Sequence, residues 1–77
     1  MVLVEFHPSA AAAFDKLPVA DQERIDVVIE HLYYEPLAGE LLRGGPLRQC
    51  EAEGVQVVYF VPPVPTMIVI CYVQGSE

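Results

Sequence analysis

Cations are scarce in this 77-residue chain: four Lys or Arg stand against eleven Asp or Glu, a formal net charge of −7. Gripping a phosphate backbone depends on neutralising phosphates, so the chain alone is poorly built to hold nucleic acid. The imbalance suits a basic protein partner, or simply solubility. Tryptophan is absent, and the two cysteines, Cys50 and Cys71, fall at no metal or redox spacing. Small secreted domains held by disulfides carry more cysteine, so reduced cytosolic thiols are expected. The opening Met1-Val2-Leu3-Val4-Glu5 lacks a basic leader and turns acidic early, which is not the pattern of a secretory signal. The expectation is a cytoplasmic protein with no cofactor and no metal ion.

Charge of either sign is missing from residues 54–76. An uncharged apolar stretch of roughly 18 residues or more raises the question of a membrane span. Pro62, Pro63 and Pro65 stand at its midpoint, and interior prolines break a helix. A lone hairpin cannot span lipid either, because its edges leave backbone groups unpaired. The flanks carry Glu51, Glu53 and Glu77 in place of a Lys/Arg cluster. The stretch is therefore expected to be a soluble β-hairpin, with strands over 55–61 and 67–73 rich in β-branched and aromatic residues. That hairpin forms the centre of a small sheet.

What is abundant is apolar sequence, 53% of the chain. Chains this short bury only about 60% of their unfolded surface, so the core is either dense or shared with a partner. Val2, Val4 and Phe6 alternate with Leu3 and Glu5, giving a half-buried first strand. Pro8 suits a first helical turn, with His7 or Ser9 as the cap. The alanines at 10–13 continue a helix whose inner face takes Ala11, Phe14 and Leu17, and Pro18 ends it. A second helix over 19–34 carries Ile25, Val28, Ile29, Leu32 and Tyr33 as one apolar stripe. Asp21 and Glu23 lie in its first turn, where the helix dipole favours negative charge. After Pro36 comes a loop over 37–45, a strand over 46–51, and a turn at Glu53-Gly54. The order is β-α-α-β-β-β: one α+β domain spanning residues 1–77, an αα-hairpin packed on an antiparallel-rich sheet of roughly four strands.

Four stretches carry a family resemblance. They are Val4-Glu5-Phe6-His7-Pro8-Ser9-Ala10, Lys16-Leu17-Pro18, Pro36-Leu37-Ala38-Gly39 with Leu42, Arg43 and Gly44, and Leu47-Arg48 through Val55-Gln56-Val57-Val58-Tyr59. In this order and spacing the chain resembles the RelE/ParE toxin superfamily of type II toxin–antitoxin systems. The resemblance implies that fold, a cognate antitoxin, and for some members cleavage of ribosome-bound mRNA. Such members use several Lys/Arg on the sheet, a basic C-terminal segment and often a Tyr, which position phosphate and move protons for attack by a ribose hydroxyl. Here the strand positions that are commonly basic read Gln49, Glu51 and Gln56, and the C-terminal stretch is Gln74-Gly75-Ser76-Glu77. A reduced constellation of Arg43, Arg48, Tyr59 and Tyr72 is what a nuclease would retain. The resemblance therefore implies a toxin module acting through protein binding, as ParE-like members act on gyrase, with the nuclease residues largely lost. Two alternatives stand beside it: a ribosome-dependent endoribonuclease using those four residues, and a non-toxic interaction or regulatory domain.

Other candidates are weaker. His7 and His31 with Glu5, Glu30 and Glu35 have no ligand spacing and read as surface groups. Pro62 and Pro65 form a PxxP spacing, which a stiff hairpin loop explains equally. Cys50 and Cys71 read as buried thiols. The hairpin is different, because both of its faces are apolar, while a one-layer sheet normally turns a polar second face to water. A partner is expected there, either a second copy or an antitoxin segment. Its expected contacts are Val58, Phe60, Ile68, Ile70 and Tyr72, with the identity of the free face left open.

Overall fold

The computed structural model describes residues 2–63 and 66–76. Strand β1 (Leu3–Phe6) leads into helix α1 (Pro8–Asp15) and helix α2 (Val19–Tyr34). Strands β2 (Glu40–Leu41), β3 (Leu47–Ala52), β4 (Val55–Phe60) and β5 (Met67–Gln74) follow. They form one mixed sheet in the order β1-β5-β4-β3-β2. Strand β1 runs parallel to β5, and the other neighbours are antiparallel. The expected αα-hairpin, the order of elements along the chain and the β4–β5 hairpin are therefore present. The sheet has five strands where roughly four were expected, because the 37–45 loop contributes the two-residue edge strand β2.

Local chemistry explains the helices. His7 caps α1: its Nδ1 accepts from the Ser9 amide at 3.2 Å, and Pro8 occupies the first turn. Ala10, buried at 1% exposure, is the residue that lies deepest, so the inner face of α1 is set one residue earlier than Ala11. Small side chains there let the helix lie close to β5. Phe14 meets Phe6 edge-on at a centroid distance of 5.6 Å. Pro18 precedes α2 as its N-cap, and Gln22 Nε2 donates to the Phe14 carbonyl at 2.9 Å, tying one helix to the other. Ile25, Val28 and Leu32 bury the inner stripe of α2, with Ile29 half-buried beside them.

Register assigns the faces of the sheet. The helix side carries Val4 beside Ile68, Phe6 beside Ile70, Ile70 beside Tyr59, and Val57 beside Val73. With Val2, Val55 and the α2 stripe these make the core. Between Val58/Tyr59 the β4–β5 register slips: Val58 pairs with Tyr72 and Tyr59 with Ile70, leaving Cys71 as the extra residue of a bulge. The bulge changes the expected faces. Ile68 and Ile70 are fully buried under the helices, while Tyr72 moves to the opposite face with Val58. Strict alternation across β5 had grouped all three.

The β3–β4 turn is tight. Glu53 and Gly54 both have positive φ, +52° and +87°, the signature of a primed two-residue turn between Ala52 and Val55. Among the described residues no helix is long and apolar enough to cross a membrane. The proline loop between β4 and β5 includes residues 64 and 65, which lie outside the described residues, as does the full PxxP spacing.

Candidate functional site

The four residues of the reduced nuclease constellation do not converge. Tyr59 is fully buried on the helix side of β4, where its hydroxyl accepts from the Gly39 amide at 2.9 Å. Burial pushes its phenol above the ordinary value, with the Gly39 amide and the nearby Arg48 charge pulling it back only in part. A general base needs a pKa near the working pH, so Tyr59 is placed against that role. Arg48, opposite Tyr59 on β3, donates through Nη1 to the Gly39 carbonyl at 2.9 Å and the Leu37 carbonyl at 3.4 Å. Together Tyr59 and Arg48 pin the 35–39 loop against the sheet. Gly39 is required by that closeness: a Cβ there would meet the Gln49 carbonyl oxygen at 2.7 Å. Arg43 is exposed in the β2–β3 turn. Tyr72 stands on the other side of the sheet, 49% exposed, its hydroxyl 3.4 Å from Gln74 Oε1.

A groove of about 430 Å³ opens beside the β3 edge, lined by residues including Leu37, Leu41, Pro46, Arg48, Phe60 and Pro62. Among the described residues Arg48 is its only ionisable side chain. No cluster of three or more His, Cys, Asp or Glu among the described residues could hold a metal ion. His7 is the α1 cap and His31 is exposed on α2. Cys50 and Cys71 are free, half-buried and separated by β4. Burial raises both thiols, which lowers their thiolate fraction.

The face away from the helices is organised in cross-strand rows. One row runs Leu47, Phe60, Val69, Glu5 across β3, β4, β5 and β1. The next runs Glu40, Gln49, Val58, Tyr72, and a third runs Glu51, Gln56, Gln74. Leu3 pairs with Met67 beyond the first row. The middle is therefore apolar: Leu3 is 57% exposed, Tyr72 49%, and Phe60, Val69 and Met67 are half-buried. Glutamine amides from Gln49 and Gln56 bond to one another at one end. None of the four Lys or Arg lies in these rows. Of the five expected partner contacts, Val58, Phe60 and Tyr72 are on this face, while Ile68 and Ile70 are core. Met67 and Val69 were not singled out from sequence, because their side of the hairpin relative to β4 depends on the bulge, and Leu47 lies on β3, outside that hairpin.

No family model matches the sequence, and no curated protein matches it. Solved structures do. The RelBE toxin–antitoxin complex of E. coli contains a chain that superposes with a TM-score of 0.85 at 21% identity, covering 100% of this chain and 99% of that one. The chain has the fold of the RelE toxins. The toxin–antitoxin complex RelBE2 of Mycobacterium tuberculosis gives 0.79 at 25% identity over 96% of each chain. The RelE–RelB complex of Pyrococcus horikoshii gives 0.79 at 23% identity over 99% of this chain and 96% of that one. Coverage on both sides is near-complete in these three comparisons.

Proposed function

We propose that this chain is the toxin-fold member of a toxin–antitoxin pair, bound by a cognate antitoxin and acting through protein contacts without the family's nuclease chemistry. The pairing is supported by the neighbours, which are toxin–antitoxin complexes from two bacteria and an archaeon. One observation carries the mode of action. The residues that a nuclease would retain serve other ends: Arg48 and Tyr59 hold the 35–39 loop, and Tyr72 stands apart on the opposite face. The open face offers apolar area and carboxylates, which suit protein and repel phosphate.

Inducible expression in a bacterial host, alone and beside the neighbouring gene, tests this reading. The expected outcome is growth arrest relieved by the neighbour, with no defined cuts when RNA 5′ ends are mapped. Defined cuts in translated mRNA that vanish in an Arg43→Ala variant would overturn the protein-contact reading. Absence of arrest with abundant soluble protein, and stable capture of the neighbour's product, would favour the non-toxic interaction domain. The acidity of the whole chain is the observation on that side.

A further inference from the structure

The open face is bordered by carboxylates on both sides and contains no cation. Glu5 on β1 closes one side of the apolar rows, and Glu40 on β2 with Glu51 on β3 closes the other. All three are exposed. Strand spacing of about 4.8 Å puts β1 and β2 roughly 19 Å apart across the sheet. An α-helix with its side chains is about 10–12 Å across, so one helix fits between the two acidic borders. Among the described residues none of the chain's own cations forms an ion pair with these carboxylates. Arg24 pairs with Asp21 at 2.8 Å, Arg48 is bonded to two carbonyls, Lys16 closes α1, and Arg43 sits in the β2–β3 turn.

We infer that the occupant of this face is a cationic amphipathic segment of another protein. Its apolar stripe lies on Phe60, Val69 and Tyr72, and its Lys or Arg side chains pair with Glu5, Glu40 and Glu51. The inference rests on the protein-binding reading above and names the chemistry of the partner. A second copy of this chain is disfavoured as occupant, because a two-fold interface would bring the same carboxylates of both copies together. Single-stranded nucleic acid is disfavoured by the same charges.

Two synthetic amphipathic helical peptides with one leucine stripe, flanked by lysines in the first and glutamates in the second, test the assignment. Binding to the full chain is measured by calorimetry at about 0.01 M and about 1 M salt. The lysine peptide is expected to bind tighter by on the order of tenfold at low salt, since exposed pairs are individually weak and three act together. The preference should collapse at high salt, and also in the Glu5→Gln/Glu40→Gln/Glu51→Gln variant, whose exposed isosteric changes leave the core untouched. Equal binding of both peptides, binding of neither, or an unchanged preference in the triple variant would overturn the inference. The underlying reading is tested apart from it, by capture of the neighbouring gene's product with a Val69→Asp variant. Loss of capture without any cation preference sinks the charge assignment alone, and capture that persists sinks the docking face itself.

Discussion

The Tyr59 hydroxyl sits inside the sheet–helix layer as acceptor for the Gly39 amide, so deleting one oxygen strands a buried donor. Leaving such a group unpaired costs about 1–3 kcal/mol. Tyr59→Phe is therefore expected to lower the urea-unfolding free energy by that amount and to speed exchange of the Gly39 amide, while far-UV dichroism stays unchanged. Asp21 is a second buried anchor at residue scale. Its Oδ2 accepts from the Ser76 amide at 3.3 Å, and its Oδ1 accepts from the Ser76 hydroxyl at 3.0 Å and from Arg24. The Ser76 hydroxyl is the main cause holding its carboxyl below the ordinary 3.8; the Ser76 amide and Arg24 help, and burial opposes them. A depressed folded pKa stabilises above the unfolded value and loses that contribution as pH falls through the folded one. Asp21→Asn should thus have a lower urea midpoint than the parent at neutral pH, and the gap should narrow below about pH 4. A gap that stays constant into acid would place the stabilisation elsewhere. Sequence alone read Asp21 as a first-turn acid and Tyr59 as a reactive hydroxyl, because the partners of both are distant in the chain: Ser76 for one, Gly39 for the other.

At the scale of elements, legibility followed periodicity. Both helices, the order of the long strands and the central hairpin were readable, since the α2 stripe at Ile25, Val28 and Leu32 and the valine-rich β4 have strong periods. Two features left no periodic trace. Strand β2 is two residues long and exists through pairing with Gln49 and Arg48, not through the propensity of Glu40 and Leu41. The bulge at Cys71 adds one residue and flips every later side chain, which is why Ile68 and Ile70 could not be told from the contact set. The β3–β4 turn, by contrast, was legible in place and is strained in detail. Glu53 adopts φ +52°, a left-handed conformation that costs an ordinary L-residue about 1–2 kcal/mol. Asn tolerates this region, so Glu53→Asn, giving Asn-Gly at the turn, is expected to raise stability by about 0.5–1 kcal/mol in chemical denaturation. An unchanged or lowered midpoint would mean that the strain is already relieved by the Glu53 side chain.

At the scale of the whole molecule, charge and apolarity pull in opposite directions. Every described Asp and Glu except Asp21 is exposed, and three of them, Glu5, Glu40 and Glu51, border a sheet face with Tyr72 and Leu3 open to water. At neutral pH the net charge of −7 opposes pairing of two such faces, because a two-fold interface brings both sets of Glu5, Glu40 and Glu51 into one place with no cation of the face between them. The isoelectric point of the sequence is about 4.5. Lowering the pH to that point brings the net charge to zero and leaves the apolar rows in place, while the Asp21 carboxyl, held below the ordinary 3.8 mainly by the Ser76 hydroxyl, keeps its contacts. Sedimentation velocity is therefore expected to show monomer at pH 7.5 in low salt and reversible self-association near pH 4.5. A Phe60→Ser/Val69→Ser variant should stay monomeric at both, since both side chains lie on the open face and the core residues beneath are untouched. Dimer already at pH 7.5, abolished by the same variant, would instead mean that apolar area on this face outweighs its carboxylates. The occupant of the sheet would then be a second copy of the chain.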